Sequence, residues 1–458
     1  MKDQPEADGR AASMRHTNGQ DAPRSPSRRK VLIGGAAAGA ALLLGGRAAF
    51  AAQGGAASAG DKEIRIGFID PRSGALGLFG QSDPYTLGLV REALAKGLTV
   101  NGETYRVTIL DFDSQSSPSR ASQLANDLIT KQHIHLMLTT STPEVVNPVS
   151  DVCEAAGVPS IATDCPLESF FFGRGGKIGA PSPFKWSFCM SFGVKQFADG
   201  FIGQWPLIET NKRVAVMYPN DADGNGFRAN LKPILEKNGY TVIDPGAYQD
   251  GTSDFSSQIA LFKREKCEIY NGVGLPPDID AFWRQAAQLH LLQELKIAQM
   301  TKAGFFMSQI EPLGDLGYNI SALTAWSPVF PYKSPLTGKT SQQMADGYEK
   351  AVNRHWDNQQ GQTMSLFEVA EHVLKHAKNP LDRAAIREVI PTVDMITTVG
   401  RVNFSKGPYP NTAATNMLGA QYVKAAAGSR FPMDRVIVDN TEDRNVPVQR
   451  KPVPYNAR

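Results

Sequence analysis

Cysteine is scarce in this chain, four in 458 residues, and the four lie far apart. Cys153, Cys165, Cys189 and Cys267 fit no paired-cysteine metal motif. An oxidising compartment permits bridges, and three full pairings are open. Charge of one sign is lacking too. Lys and Arg total 48 against 45 Asp and Glu, a net charge of +3, and no basic stripe follows residue 60. That removes the electrostatic case for nucleic acid. Beyond the N-terminal region no apolar run reaches 18 residues, so no membrane-spanning helix is expected there. G-x-S-x-G and P-loop motifs are missing, and Gly272-Val273-Gly274 lacks the third glycine of a dinucleotide fingerprint.

Two imitations of metal sites fail on chemistry. Asp221-Ala222-Asp223-Gly224-Asn225-Gly226 begins like a calcium loop, but the twelfth position, which needs a bidentate Glu, is Lys232. His372 and His376 share a helix face, yet the order is E-H-x-x-x-H and not H-E-x-x-H, so a solvated face is expected. Neither metal nor cofactor is predicted.

What is present starts with an export signal. Residues 1–26 have the polar composition of a disordered leader. Ser27-Arg28-Arg29-Lys30-Val31-Leu32-Ile33 then resembles a twin-arginine motif. A Gly/Ala-rich region over 31–46 and the A-x-A site Ala49-Phe50-Ala51 follow. A signal segment over 1–51 is therefore expected, cleaved near Ala52. No cysteine follows to carry a lipid, so a soluble protein outside the cytoplasm, in the periplasm, is predicted.

From residue 62 onward short apolar runs alternate with helical patterns. Strands are expected over 64–69, 106–110, 134–138, 158–162, 213–218, 240–243 and 267–273. Helices are expected over 85–95, 119–131, 143–156, 226–238, 255–266 and 279–289. Two successive α/β runs, meeting near residue 185, argue parallel doubly wound sheets. Trp326, close before Pro328, suits either a hinge or a core. The three prolines from 447 onward suggest an extended surface tail.

The stretch 133–166 organises the chain. A strand ends in Thr139-Thr140-Ser141-Thr142-Pro143, a helix with Val145, Val149 and Val152 on one face follows, and Gly157 closes it. The next strand leaves through Ala162-Thr163-Asp164. Polar turns at the carboxyl ends of adjacent parallel strands are where open α/β sheets hold ligands. One hydroxyl, Thr142, suffices as N-cap ahead of Pro143 at N1. Four in a row exceed that need, and a helix start favours an anion.

Several motifs in order carry a family resemblance. They include Ile66-Gly67-Phe68-Ile69-Asp70-Pro71-Arg72-Ser73-Gly74 with Phe79-Gly80. Glu154-Ala155-Ala156-Gly157-Val158-Pro159, Gly251-Thr252-Ser253-Asp254-Phe255, Trp326-Ser327-Pro328 and Phe367-Glu368-Val369-Ala370 follow. Over about residues 62–425 the chain resembles the periplasmic ligand-binding proteins of ABC importers, in the branched-chain amino-acid group. The resemblance implies two α/β lobes with three crossovers. Lobe one would comprise 62–184 and 326–395, and lobe two 185–325 and 396–458. It implies a monomer, not an enzyme, that captures a small polar solute in the inter-lobe cleft and passes it to the importer's membrane permease. Phe79, Thr140, Ser141, Thr142, Ala162, Thr163 and Asp164 would line the lobe-one side. Asp223 would face them from lobe two, at a position commonly Tyr in the family. A secreted α/β hydrolase with Ser141 as nucleophile, or a detached sensor domain, are the alternatives.

Overall fold

A computed structural model describes residues 62–457. The export segment expected over 1–51 lies outside the described residues.

The chain builds two seven-stranded sheets in alternation. Strands β1 (Glu63–Asp70), β2 (Leu98–Val100), β3 (Glu103–Asp113), β4 (Leu136–Thr140), β5 (Ser160–Thr163) and β6 (Ser187–Ser191) form most of the first. Strands β7 (Arg213–Met217), β8 (Thr241–Ile243), β9 (Ile269–Gly272), β10 (Ile297–Met300) and β11 (Ser321–Thr324) start the second. The chain then makes a small hairpin, β12 (Asp394–Thr397) with β13 (Gly400–Asn403). It returns to the first sheet with β14 (Thr412–Ala414) and ends in the second with the antiparallel pair β15 (Leu418–Lys424) and β16 (Met433–Asp439). Sheet order is β14-β6-β5-β4-β1-β3-β2 and β16-β15-β11-β10-β9-β7-β8.

The apolar runs explain the sheets. Every residue of β4, β5, β6 and β9 is buried, as expected for parallel strands covered by helices on both faces. The helix Pro118–Thr130 shows the complementary pattern. Ser117 Oγ accepts from the Arg120 N–H at 3.3 Å, and Ala121, Ala125, Leu128 and Ile129 form its buried stripe.

The observed crossovers differ from the expected boundaries. Residue 185 does not divide the lobes, because β6 pairs with β5 in the first sheet. The passage follows Ser191. β11, which ends at Thr324, is the last second-sheet strand before the β12–β13 hairpin. The final passage follows Ala414 and not residue 396, because β14 pairs with β6 and Val399, Val402 and Phe404 pack into the first lobe's core. Sequence alternation marks the strands but not the sheet each one joins. The tail is also more than a surface extension. Val453 N–H donates to Gln421 Oε1 at 3.0 Å, and buried Tyr455 donates its hydroxyl to Leu316 O at 3.0 Å.

Trp326 is a core residue. Its backbone N–H donates to Asn358 Oδ1 at 2.9 Å and its Nε1 to Ser341 Oγ at 3.1 Å. The buried helix Gln359–His376 lies so close that a Cβ at Gly361 would stand 2.1 Å from Trp326 Cγ. The helix expected at 226–238 instead starts from Asp221, and a π-turn spans Phe227–Leu231. Pro233 has no N–H for the ordinary i−4 bond, and a wider turn absorbs that loss. All four cysteines are free and buried.

Candidate ligand-binding site

The two sheets turn the carboxyl ends of several strands toward one another. On the first lobe, Thr140 pairs with Thr163 in the β4–β5 ladder, so residues 141 and 164 leave the sheet side by side. Ser141 takes φ 111° and Asp164 φ 60°, conformations rare for residues with a Cβ. Thr142 occupies the N-cap position of the helix Pro143–Ala156, but its side chain makes no capping bond. Its backbone carbonyl instead accepts from the N–H groups of Val145 and Val146, at 3.1 Å each.

The hydroxyls divide into two kinds. Thr139 Oγ1 donates to Ile69 O at 2.9 Å, Thr140 Oγ1 to Asp164 Oδ2 at 3.1 Å and Thr163 Oγ1 to Gln362 Oε1 at 3.1 Å. These three brace the strand exits. Ser141 Oγ, Thr142 Oγ1 and Asp164 Oδ1 are buried and have no partner. A buried polar atom left unmet costs about 1–3 kcal/mol, and these three lie at adjacent strand exits. Burial pushes the Asp164 carboxyl up to about 8, aided by the charges of Asp83 and Asp357 and opposed by the Thr140 hydroxyl.

The second lobe answers with a closed ion pair. Asp221 caps its helix by accepting from Gly224 N–H at 2.6 Å, which points Asp223 inward. Lys302, two residues past β10, stands 2.7 Å from Asp223 Oδ2 and 3.1 Å from Asp221 Oδ2. Ser169 Oγ donates to Asp223 Oδ1 at 3.1 Å. Burial alone would lower the Lys302 pKa; the carboxylates of Asp223 and Asp221 hold it well above the ordinary lysine range instead. The acidic turn that imitates a calcium loop is thus filled by a lysine ammonium.

Phenylalanines close the space between. Phe79, Phe192, Phe197, Phe227 and Phe305 line it together with Thr142, Asp164, Asp223 and Lys302. Phe79 meets Phe306 edge-on at 4.9 Å, and Phe197 meets Phe227 at 4.9 Å. The enclosed volume is about 10 Å³, room for about one water.

Of the residues expected from sequence, Phe79, Thr142, Asp164 and Asp223 line this one cavity. Thr140 and Thr163 brace the strand exits, and Ser141 is buried beside Thr142 without lining the cavity. Ala162 does not face the cavity. Its methyl packs with Val146, Cys165, Leu167, Phe170 and Cys189, because alternate residues of a strand face opposite sides. Sequence reasoning missed Lys302, Ser169 and four of the phenylalanines. A signal for Lys302 did exist: the mostly apolar run Ile297–Met300 followed by Thr301-Lys302 has a strand-exit pattern like that of 136–142. The phenylalanines come from five separate elements and carry none.

With this geometry in view, comparison with known proteins decides the family. The profile of the periplasmic binding protein family matches residues 63–427. The chain belongs to the periplasmic binding protein family. Among curated relatives, Leu/Ile/Val-binding protein homolog 3 of Brucella melitensis is 26% identical over 225 residues, 47% of this chain. The match spans 55%, about half, of that relative's length. A leucine-binding protein of Thermotoga maritima superposes with a TM-score of 0.66 at 18% identity, covering 83% of this chain and 99% of that one. The Streptococcus pneumoniae branched-chain amino acid transporter substrate-binding protein, solved with isoleucine, gives 0.64 at 16%, with 82% and 100% covered. A Rhodopseudomonas palustris solute-binding protein, solved with 3,4-dihydroxybenzoic acid, gives 0.63 at 15%, with 83% and 99% covered. This binding protein therefore shares the two-lobed type I architecture of those structures.

Proposed function

We propose that this protein is an exported receptor that captures an amino acid with an apolar side chain between its lobes and delivers it to the permease of an ABC importer. The observation that carries the reading is the trio Ser141 Oγ, Thr142 Oγ1 and Asp164 Oδ1, buried and unpartnered at adjacent strand exits. Two hydroxyls at a helix start suit a carboxylate. A carboxylate with one free oxygen suits an ammonium. The phenylalanine wall suits an apolar side chain. The relatives named for Leu/Ile/Val, leucine and isoleucine support the same class. An aromatic acid of the kind held by the Rhodopseudomonas protein would suit the rings. It would leave Asp164 Oδ1 unmet, and the Lys302 charge is already held by two aspartates. The hydrolase reading fares worse. A nucleophilic serine needs a base within hydrogen-bond reach, and Ser141 Oγ has no hydrogen-bond partner.

A cavity of about 10 Å³ admits no amino acid, so capture requires the lobes to part and close again by a hinge. Melting temperature across a panel of amino acids, amides, urea and aromatic acids tests the ligand class, since a solute bound only by the folded state raises it. Apolar amino acids are expected to raise it, and Asp164→Ala to abolish most of the shift. A panel in which none does, or three folded variants Ser141→Ala, Asp164→Ala and Asp223→Ala with wild-type affinity by calorimetry, would overturn the site. Scattering should show a smaller radius of gyration at saturation. The export and monomer readings are tested by N-terminal sequencing of periplasmic protein and by light scattering.

A further inference from the structure

A second cavity, of about 300 Å³, opens away from the cleft where the chain passes between the lobes. One wall is the helix Ser341–Val352 with the following His355 and Trp356. The other is the tip of the β15–β16 hairpin. First-lobe and second-lobe elements therefore face each other across it.

Three of its polar atoms, Arg435 Nε and Nη2 and His355 Nδ1, are buried without a partner. Arg435 is buried, with 2% exposed. Its Nη1 donates to the carbonyls of Gly304 and Phe305, at 3.0 and 2.8 Å, while Nε and Nη2 have no partner. A buried guanidinium with three N–H bonds on two unpartnered nitrogens calls for an anion, most naturally a carboxylate. Across the cavity the need is reversed. His355 Nε2 donates to Met433 O at 3.2 Å. Burial and the Arg435 charge hold the ring far down, at about 4, so it is neutral and Nδ1 is an acceptor. Nδ1, which has no partner, stands 3.4 Å from Glu349 Oε1, an acceptor that already takes the Trp356 N–H at 3.2 Å. A donor placed against both satisfies Nδ1 and uses a remaining lone pair of the carboxylate. Trp356 and Phe431 supply apolar surface, His355 lying 5.5 and 4.9 Å from their rings.

The charge balance narrows the ligand. Three acids line the cavity, Asp346, Glu349 and Asp434, against two arginines, Arg430 and Arg435. A bare anion would meet net negative charge; a molecule carrying both signs would not. We propose that this cavity is a second binding site, for a zwitterion of amino-acid size, with its carboxylate on Arg435 and its ammonium between His355 and Glu349. The volume fits the lower end of small-molecule sites.

Arg435 is itself a poor probe, because it also braces Phe305, which lines the cleft. Ser429→Trp fills the cavity from its exposed rim and removes no buried group, and Glu349→Gln weakens the ammonium end. The test is saturation-transfer NMR on the full exported chain with an equimolar mixture of the twenty proteinogenic amino acids. Asp164→Ala serves as background to weaken the cleft. Transfer to at least one amino acid should persist in Asp164→Ala. Its apparent affinity should fall at least tenfold when Ser429→Trp or Glu349→Gln is added, each variant keeping a native melting transition. No transfer in the Asp164→Ala background overturns the proposal. So does a signal that neither added substitution moves, since that signal would belong to the cleft. Failure of the cleft reading, in contrast, shows as wild-type affinity in the three cleft variants and leaves this result unaffected.

Discussion

The two rims of the cleft solve the same electrostatic problem in opposite ways. On the second-lobe rim Lys302 pairs with Asp221 and Asp223, and Asp223 also accepts from Ser169 Oγ, which reaches it from the first lobe. The first-lobe rim leaves Ser141, Thr142 and Asp164 each with an unmet atom. A group already paired inside the protein contributes rigidity, whereas one left unmet contributes affinity when its partner arrives. On the proposed function, polar recognition therefore belongs to the first lobe. The second supplies a rigid, largely apolar surface.

The sharpest way to break this contrast is Lys302→Met. It leaves the buried carboxylate of Asp223 and the partly buried one of Asp221 without their cation, and breaking a buried pair costs about 3–5 kcal/mol. Denaturant unfolding should show a loss of that order, partly restored by adding Asp223→Asn. A loss under about 1 kcal/mol, the range of an exposed pair, would mean that this pairing does not hold the rim.

Asp164 should behave in reverse. A charge-assisted hydrogen bond is worth about 1.5–3 kcal/mol, and a decade of affinity about 1.4 kcal/mol. Asp164→Asn should therefore weaken amino-acid binding roughly ten- to a hundredfold. Stability at neutral pH should not fall, since the substitution removes a carboxylate that burial penalises. The ammonium of the ligand needs the ionised form, so wild-type affinity should rise between pH 6 and pH 9, and the variant's should stay flat. Calorimetry across that range measures both.

A third effect concerns the fold. Burial first, then neighbouring charges, raises Asp164 to about 8, and burial raises Asp83 and Glu368 to about 7. Their unfolded values lie near 4. The folded state thus binds more protons than the unfolded one between about pH 4 and pH 8. The associated stability is full below that window and is lost as pH rises through it. The melting temperature should be higher at pH 5.5 than at pH 8.5, with a smaller difference in Asp164→Asn. The opposite order would remove these carboxyls as the dominant titrating groups.

The smallest effect separates two threonines. Thr340 Oγ1 accepts from Gln343 N–H at 3.2 Å and caps its helix, so Thr340→Ala should cost about 1 kcal/mol. Thr142 caps nothing, so Thr142→Ala should leave stability within about 0.5 kcal/mol. It should still weaken ligand binding roughly two- to tenfold, the worth of a neutral hydrogen bond. Equal losses of stability in the two variants would return Thr142 to an ordinary capping role.

By itself the sequence determined the alternation of strands and helices, the parallel sheets and the position of the cradle at the exits of β4 and β5. These follow from local causes: apolar periodicity, a proline at N1, a glycine at the helix end and polar residues past a strand. The same local logic singled out Thr142 and Asp164, and the family resemblance singled out Phe79 and Asp223; the four line one small cavity. Tertiary structure alone decided which sheet β6 and β14 join, because pairing partners lie far apart in sequence and an apolar strand suits either sheet. It alone decided that Ala162 faces a core cluster, since the face a strand presents depends on what packs against it. It brought Lys302 to Asp223 across 79 positions, five phenylalanines to one space, and Arg435 opposite His355. In each case the chemistry is created by side chains that meet only after the chain has folded, and no spacing along the sequence encodes that meeting.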